Sequence, residues 1–420
     1  MTSAIIIGGG VIGRACALSL LDRGCAVTLV ADADPAPASW GNAGHIATEQ
    51  VTPLAEWATI KRLATDLFPR GPVALDWRRP GIWLPWSLRF LRACAANGLR
   101  RVSPGETTLR DLLSDALPAW ERLAQRLGQP ELLDKRGIVK LFEKDDAPIR
   151  AARMIGTDWG TARACWIEPA ERALINARFR APIREAVHFP GTAHVTDPRL
   201  VLDGLLASLI AAGGQHHTGY VTGIETHGDG VRVRTDAGVL EADRVIVAGG
   251  VRSGLLLPDL ALPMIAERGY HVEWDHNGEW TGPNVVFEDR AVVVTRFGSR
   301  LRATSFVEFS AFDAPPDPRK WEHLERHVRE MGLPVHGPFA RWHGARPTLP
   351  DYLPALGALP DQPHVFAVCG HNHLGLTLAA TTAERLTRHM LDGAPLPHTL
   401  RPGRFSKNLR CMSFPRRNVS

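Results

Sequence analysis

The stretch Ala4-Ile-Ile-Ile-Gly8-Gly-Gly10-Val-Ile-Gly13 joins a short, wholly apolar, β-branched run to a G-x-G-x-x-G turn. A helical pattern follows, with Ala15, Leu18 and Leu21 on one face, so the segment reads as strand, tight turn, helix. Each glycine has a physical task. Gly8 permits the turn, Gly10 lets a pyrophosphate approach the backbone, and Gly13 lets the helix pack close to the strand. The phosphates then face a helix N-terminus, where unpaired N–H groups and the macrodipole favour anions. Gly24 and a second strand, Ala26 to Val30, complete the unit and point to a dinucleotide. The acid that holds a ribose hydroxyl is expected near position 31; the chain has Ala31 followed by Asp32, so Asp32 reaches the ribose after a one-residue shift or a backbone group or water replaces it.

Further glycine-marked strand ends recur downstream. The small-residue loop Ser39-Trp-Gly-Asn-Ala-Gly44-His45 follows the second strand and lets backbone pass close to a bulky planar group. Gly219-Tyr-Val-Thr-Gly-Ile224, the alternating Val231-Arg-Val-Arg234 and Ala242-Asp-Arg-Val-Ile-Val-Ala-Gly-Gly250 read as strands with turns. His364 to Cys369 is an apolar strand running into Gly370-His-Asn-His-Leu-Gly-Leu-Thr377 and a helix. Three glycine-marked strand ends so far apart are best explained by one long, extended ligand.

The rest of the chain sets bounds. With 420 residues, two domains are expected. Hydrophobic residues at 45% and charged residues at 22% exclude a disordered or fibrous chain. No apolar run approaches the length of a membrane helix, and the first one lacks a charged leader, so a cytoplasmic location is expected. Six cysteines without CxxC spacing read as reduced thiols. The net charge of +5 is local: residues 393–420 contain six bases and no acid, and without them 43 basic groups face 44 acidic ones. A basic tail on a neutral body argues against nucleic acid and is compatible with weak contact to the inner face of a membrane. Trp57, Trp77, Trp83, Trp86 and Trp120, in a helix-patterned stretch over 56–185, are expected in a core, and 270–312 alternates like antiparallel strands.

Taken in order, Gly8–Gly13, Ser39–Gly44, Tyr220–Ile224, Ala242–Gly250, Glu267-Arg-Gly-Tyr-His271, Leu301-Arg-Ala-Thr304, Gly344-Ala-Arg-Pro347 with Pro350-Asp351 and Gly357, and Gly370–Thr377 resemble the D-amino-acid oxidase and dehydrogenase superfamily of flavoproteins, nearest its bacterial D-amino-acid dehydrogenase-like branch. The resemblance implies an α/β fold: a Rossmann-like FAD-binding domain, discontinuous over 1–55, 186–262 and 341–406, beside a substrate domain of antiparallel sheet and helices over 56–185 and 263–340, with a basic tail at 407–420. It implies FAD, which some relatives attach covalently through Cys or His; here a non-covalent flavin is expected. The contacts it assigns run from Gly8, Gly10, Val11, Ile12 and Gly13 through Asp32, Ser39, Asn42, Ala43 and Gly44. They continue at Val221, then Ala248, Gly249 and Gly250, then Gly344, and close on Gly370, His373, Leu374, Gly375, Leu376 and Thr377.

The implied chemistry moves a Cα hydrogen to the flavin as hydride, so the protein mainly positions its substrate. A substrate carboxylate calls for an arginine, whose planar fork gives two parallel charge-assisted bonds. By resemblance Arg346, in Trp342-His-Gly-Ala-Arg-Pro347, is the carboxylate ligand and Tyr270 the substrate-contacting tyrosine. Arg302 is a second carboxylate partner or an exposed strand arginine, and His45 faces the substrate amine. The N–H groups of the Gly370-His-Asn-His373 turn stabilise negative charge at the flavin N1–C2=O edge. No metal site is expected: His371 and His373, His216 and His217, and His323 and His327 all lack third ligands nearby. Cys369 reads as a buried small residue.

The expected reaction is oxidation of a small D-amino or imino acid, D-proline-like, D-hydroxyproline-like or aliphatic, with electrons passed to a quinone or a partner flavoprotein. Alternatives are an oxygen-using amine oxidase of the glycine or sarcosine type, a flavin monooxygenase, and a non-catalytic FAD subunit. The monooxygenase needs a Gly-Asp pair in its third nucleotide segment, and none stands there. Oligomeric state is left open.

Overall fold

The computed structural model describes residues 1–34, 37–98 and 102–408. The apolar runs read above become the middle of a six-stranded sheet, ordered Gln215–Thr218, Ala26–Ala31, Ser3–Ile7, Arg244–Val247, Gln362–Cys369 and Ala355–Leu359. The first five strands are parallel; the last is antiparallel. The inner parallel strands are buried on both faces, which is why they are continuously apolar, whereas the edge strand Gln215–Thr218 is polar and largely exposed. Ala4, Ile6, Val27, Leu29, Ile246, Phe366 and Val368 pack under helices, chiefly Val11–Leu21 and Ala379–Asp392. Ile5, Ile7, Val245, Val247 and Val365 pack against Val231 and Val233 of a three-stranded antiparallel sheet over 221–242.

A nine-stranded mixed sheet forms the second layer system. Its order is His336–Thr348, Ile265–Asp275, Arg300–Ser310, Val292–Phe297, Asn284–Phe287, Ile138–Phe142, Glu185–Phe189 and Cys165–Trp166, with Val73–Leu75 added beside Arg300–Ser310. Two of its strands correct the domain limits expected from sequence. Glu185–Phe189 pairs with Ile138–Phe142, and His336–Thr348 pairs with Ile265–Asp275, so limits at 185/186 and 340/341 cut into strands of this sheet. An apolar strand carries no label saying which sheet completes its hydrogen bonds; pairing at long range decides it.

Along Ile265–Asp275 the side chains alternate between two environments. Tyr270, Val272 and Trp274 face the helix Pro318–Met331, packing with Leu324, Val328 and Met331. That helix is capped by Asp317, which accepts from Arg319 N, and stops at Gly332 with φ +76°. Glu267, His271 and Glu273 point the other way, toward the glycine turns of the parallel sheet. The expectation that the tryptophans of 56–185 are core holds for Trp86 and Trp120 and fails for Trp57 and Trp77, which are exposed.

Candidate active site at the meeting of the two sheets

Register brings the glycine turns together. Ile7 stands opposite Val30 and Val247, and Val247 opposite Ala367, so the turns after these strands open on one edge of the sheet. The chain crosses from the first strand outward in both directions, and the crevice at such a reversal, beyond the carboxyl ends of the strands, is where open α/β sheets bind ligands. Gly8 has φ +121°, and a Cβ there would lie 2.4 Å from Ala248 O; a Cβ on Gly13 would lie 2.0 Å from Gly8 O. The helix starting at Val11 has Gly10 as its N-cap, which offers no side chain. Ser39 supplies one acceptor, its Oγ taking Val11 N–H at 3.1 Å, while Ile12 and Gly13 N–H find none among the described residues. Such a cradle fits a pyrophosphate. Asp32, at the end of the second strand, is paired with Arg252 at 2.8 Å, just past Gly249 and Gly250. Val221 opens the strand that follows Gly219, whose N–H bonds Ala31 O.

The Ser39–Gly44 loop is held by the nine-stranded sheet through four consecutive carbonyls. Arg302 Nη1 donates to Trp40 O at 2.8 Å and Asn42 O at 2.7 Å, His271 Nδ1 to Gly41 O at 3.1 Å, and Thr295 Oγ1 to Ala43 O at 2.8 Å. Arg302 is therefore not an exposed strand arginine, and its guanidinium is taken up by partners within the protein and not left for a substrate carboxylate. It is fully buried, paired with Glu273 and sandwiched between the rings of Trp40 and Phe297. Burial beside Arg302 also pushes the His271 pKa well down, so its ring is a neutral donor.

Tyr270 is corrected as well. Its hydroxyl donates to Glu308 at 2.7 Å and accepts from Arg268 at 3.0 Å on the helix-covered face, with no surface exposed. The tyrosine on the site face is Tyr352, whose OH donates to Glu267 at 3.2 Å. Glu267 also takes Thr348 Oγ1 at 3.1 Å and Arg346 Nη1 at 3.2 Å. Arg346 Nη1 further donates to Phe306 O at 3.1 Å. Phe306 sits at φ +72° where the register slips between Arg268 and Tyr270, and the bulge aims its carbonyl at the guanidinium. Arg346 Nε and Nη2 have no acceptor among the described residues, and the side chain is 24% exposed.

Gly269 and Gly344 face each other across the two strands and leave a floor without side chains. Arg346 lies over Gly269, where a Cβ would come within 2.4 Å of Nη2. The Trp342 ring lies over Gly344 and Gly41, edge-on to Trp40 and stacked on His271.

The third turn closes the site. A 3-10 turn, Asn372–Leu374, precedes the helix Ala379–Asp392, and Gly375, Leu376 and Thr377 N–H find no acceptor among the described residues. Thr377 Oγ1 accepts from Ala47 N, and His373 Nε2 meets Gln50 Oε1, which ties this turn to the segment after His45. Burial pushes the His373 pKa down to about 4, so the ring is neutral. His45 bonds Glu49 at 3.1 Å. Burial alone would raise the Glu49 pKa, but His45 and Lys140 outweigh it and hold it at about 2. Burial pushes the Cys369 thiol up to about 12, so it is no nucleophile. Among the described residues no group of three or more His, Cys, Asp or Glu is placed to hold a metal. Glu267, Tyr352, Trp342, Gln50 and Glu49 were not singled out from sequence; the two-residue alternation from Gly269 was the signal that could have found Glu267.

Residues 3–389 match the DAO family, described as FAD dependent oxidoreductase. The chain belongs to this family. It is 32% identical over 408 residues to a D-amino-acid oxidase of Bradyrhizobium diazoefficiens, covering 92% of this chain and 94% of that one. It is 29% identical to a D-amino acid dehydrogenase 2 of Pseudomonas aeruginosa, with the same coverage. Among solved structures, glycine oxidase from Geobacillus kaustophilus superposes with a TM-score of 0.69 at 20% identity, over 94% of this chain and 96% of that one. The protein is an FAD-dependent oxidoreductase acting on amino acids. The glycine cradle and the unpaired N–H groups fit that cofactor. Among the described residues no helix is long and apolar enough to cross a membrane.

Proposed function

We propose that this member of the family oxidises a small, neutral D-amino or imino acid. Arg346 carries the reading: one nitrogen is fixed by Glu267 and Phe306 O, and the rest of the fork is left for a carboxylate beside the glycine floor. FAD, when bound, would supply the acceptor for a hydride. Arg346 orients the carboxylate, Trp342 and Trp40 offer an apolar wall, and the neutral His373 is held by Gln50, in the segment that carries the His45–Glu49 pair. D-stereochemistry is supported by the names of the relatives, D-amino-acid oxidase and D-amino acid dehydrogenase. In the same reading the FAD-binding part comprises about 1–55, 190–262 and 349–406, Asp32 serves the ribose, and Gly375 to Thr377 N–H serve the flavin.

Electrons pass to a quinone or partner flavoprotein. The basic tail read from sequence lies largely in 409–420, outside the described residues. A second reading, with oxygen as acceptor, draws on the relative named an oxidase. Anaerobic mixing of the yellow protein with D- and L-amino acids, sarcosine and imino acids tests the first half. Bleaching near ~450 nm by one D-amino or imino acid is expected; bleaching by NADPH alone overturns it. Arg346→Leu should lower kcat/KM by about 100-fold, the cost of removing a charge-assisted partner. Fast turnover with oxygen alone sinks the dehydrogenase half.

A further inference from the structure

The helix Pro80–Gly98 is apolar on two sides. Its inner side, Trp86, Phe90 and Cys94, is buried with Ile265, Phe309 and Tyr352. Well round the helix from these, Leu84, Leu88 and Leu91 fall on one stripe and are 48%, 54% and 38% exposed. Trp77, 69% exposed, stands just before the helix, edge-on to Trp83. Single exposed leucines are ordinary; three at helical spacing beside an exposed tryptophan form a patch. Arg92 borders the stripe beside Leu88, with Arg89 beyond it on the same side, and neither forms an ion pair among the described residues. Residues 56–102 hold nine Lys and Arg against three Asp and Glu, so this segment alone exceeds the net +5 of the whole chain.

Charge chooses the occupant. A twofold contact with a second copy would bring Arg89 and Arg92 of one copy up against those of the other. An apolar stripe with bases along one side and a tryptophan before it suits the boundary between acyl chains and anionic headgroups. We propose that this face of the Pro80–Gly98 helix, with Trp77, docks on an anionic lipid surface, Leu84, Leu88 and Leu91 entering the boundary while Arg89 and Arg92 meet lipid phosphates. This extends the acceptor half of the proposed function, yet it is read without turnover, so either can fail alone.

Flotation of the holoenzyme with phosphatidylcholine vesicles, with and without phosphatidylglycerol, tests it. The protein should float with the anionic vesicles and be released as salt rises. Arg89→Gln with Arg92→Gln should weaken binding about 30-fold, and Leu84→Gln, Leu88→Gln and Leu91→Gln together at least as much, with flavin content and circular dichroism unchanged. Three outcomes overturn the proposal. Wild type fails to float with anionic vesicles; the leucine variant floats as well as wild type, which moves the contact to the C-terminal bases; or wild type is a dimer that the leucine changes disperse, without vesicle binding.

Discussion

The edge of the parallel sheet and the site face of the nine-stranded sheet meet over one crevice, but they are built differently. The edge works through backbone: missing Cβ atoms at Gly8 and Gly13 and N–H groups left free beyond Val11. The face works through side chains: Arg302, His271 and Thr295 grip the Ser39–Gly44 loop, while Glu267 grips Arg346. A backbone site is specified within a few consecutive residues. A side-chain site is specified by partners far apart in sequence, and one step of register moves each of them to the opposite face.

The largest effect comes from putting an atom where the edge needs none. Gly13→Val would set a Cβ 2.0 Å from Gly8 O, a backbone atom of the turn that cannot swing away as a side chain would. The variant should purify without flavin or fail to fold, as the ratio of flavin to protein absorbance will report. A yellow, stable Gly13→Val protein would mean that the edge tolerates side chains.

Next comes the clamp. Arg302→Leu removes two carbonyl partners and one of the two arginines on the Glu273 carboxylate, the other being Arg300 at 2.6 Å. Breaking a buried pair leaves a charge poorly compensated, so stability should fall by about 3 kcal/mol in urea unfolding. Arg346→Leu, at a partly open arginine, should lose far less stability and far more kcat/KM. A reversal of these two patterns would exchange the roles of the arginines.

Sequence made the edge legible because its physics is local. Gly8, Gly10 and Gly13 lie within one turn, and the apolar strands on either side declare a sheet buried on both faces. The face was legible only in outline. Arg346 and Tyr270 drew notice as residue types in familiar surroundings, but nothing in Arg268-Gly-Tyr-His271 says which side of the strand meets the crevice. The bulge at Phe306 and the pairing of Gly269 with Gly344 decide that, and both depend on strands tens of residues away. Trp57 and Trp77 were misread for a related reason: residue size predicts burial only on average.

The smallest effects sharpen the comparison most, because they ask the two tyrosines which face is which. Tyr270→Phe removes a donor to Glu308, which keeps Lys320 Nζ at 2.8 Å, so stability should fall by about 1 kcal/mol. The KM for the amino acid should not move, since the ring lies under the Pro318–Met331 helix. Tyr352→Phe removes one of three donors to Glu267 and leaves Thr348 and Arg346 in place. The guanidinium then sits less firmly, and one lost hydrogen bond to a charged partner should raise KM roughly 5-fold or more. Stopped-flow reduction across substrate concentration separates the two variants. If Tyr270→Phe raises KM and Tyr352→Phe leaves it alone, the crevice lies against the helix-covered face, and the carboxylate must be gripped from Arg268 rather than Arg346.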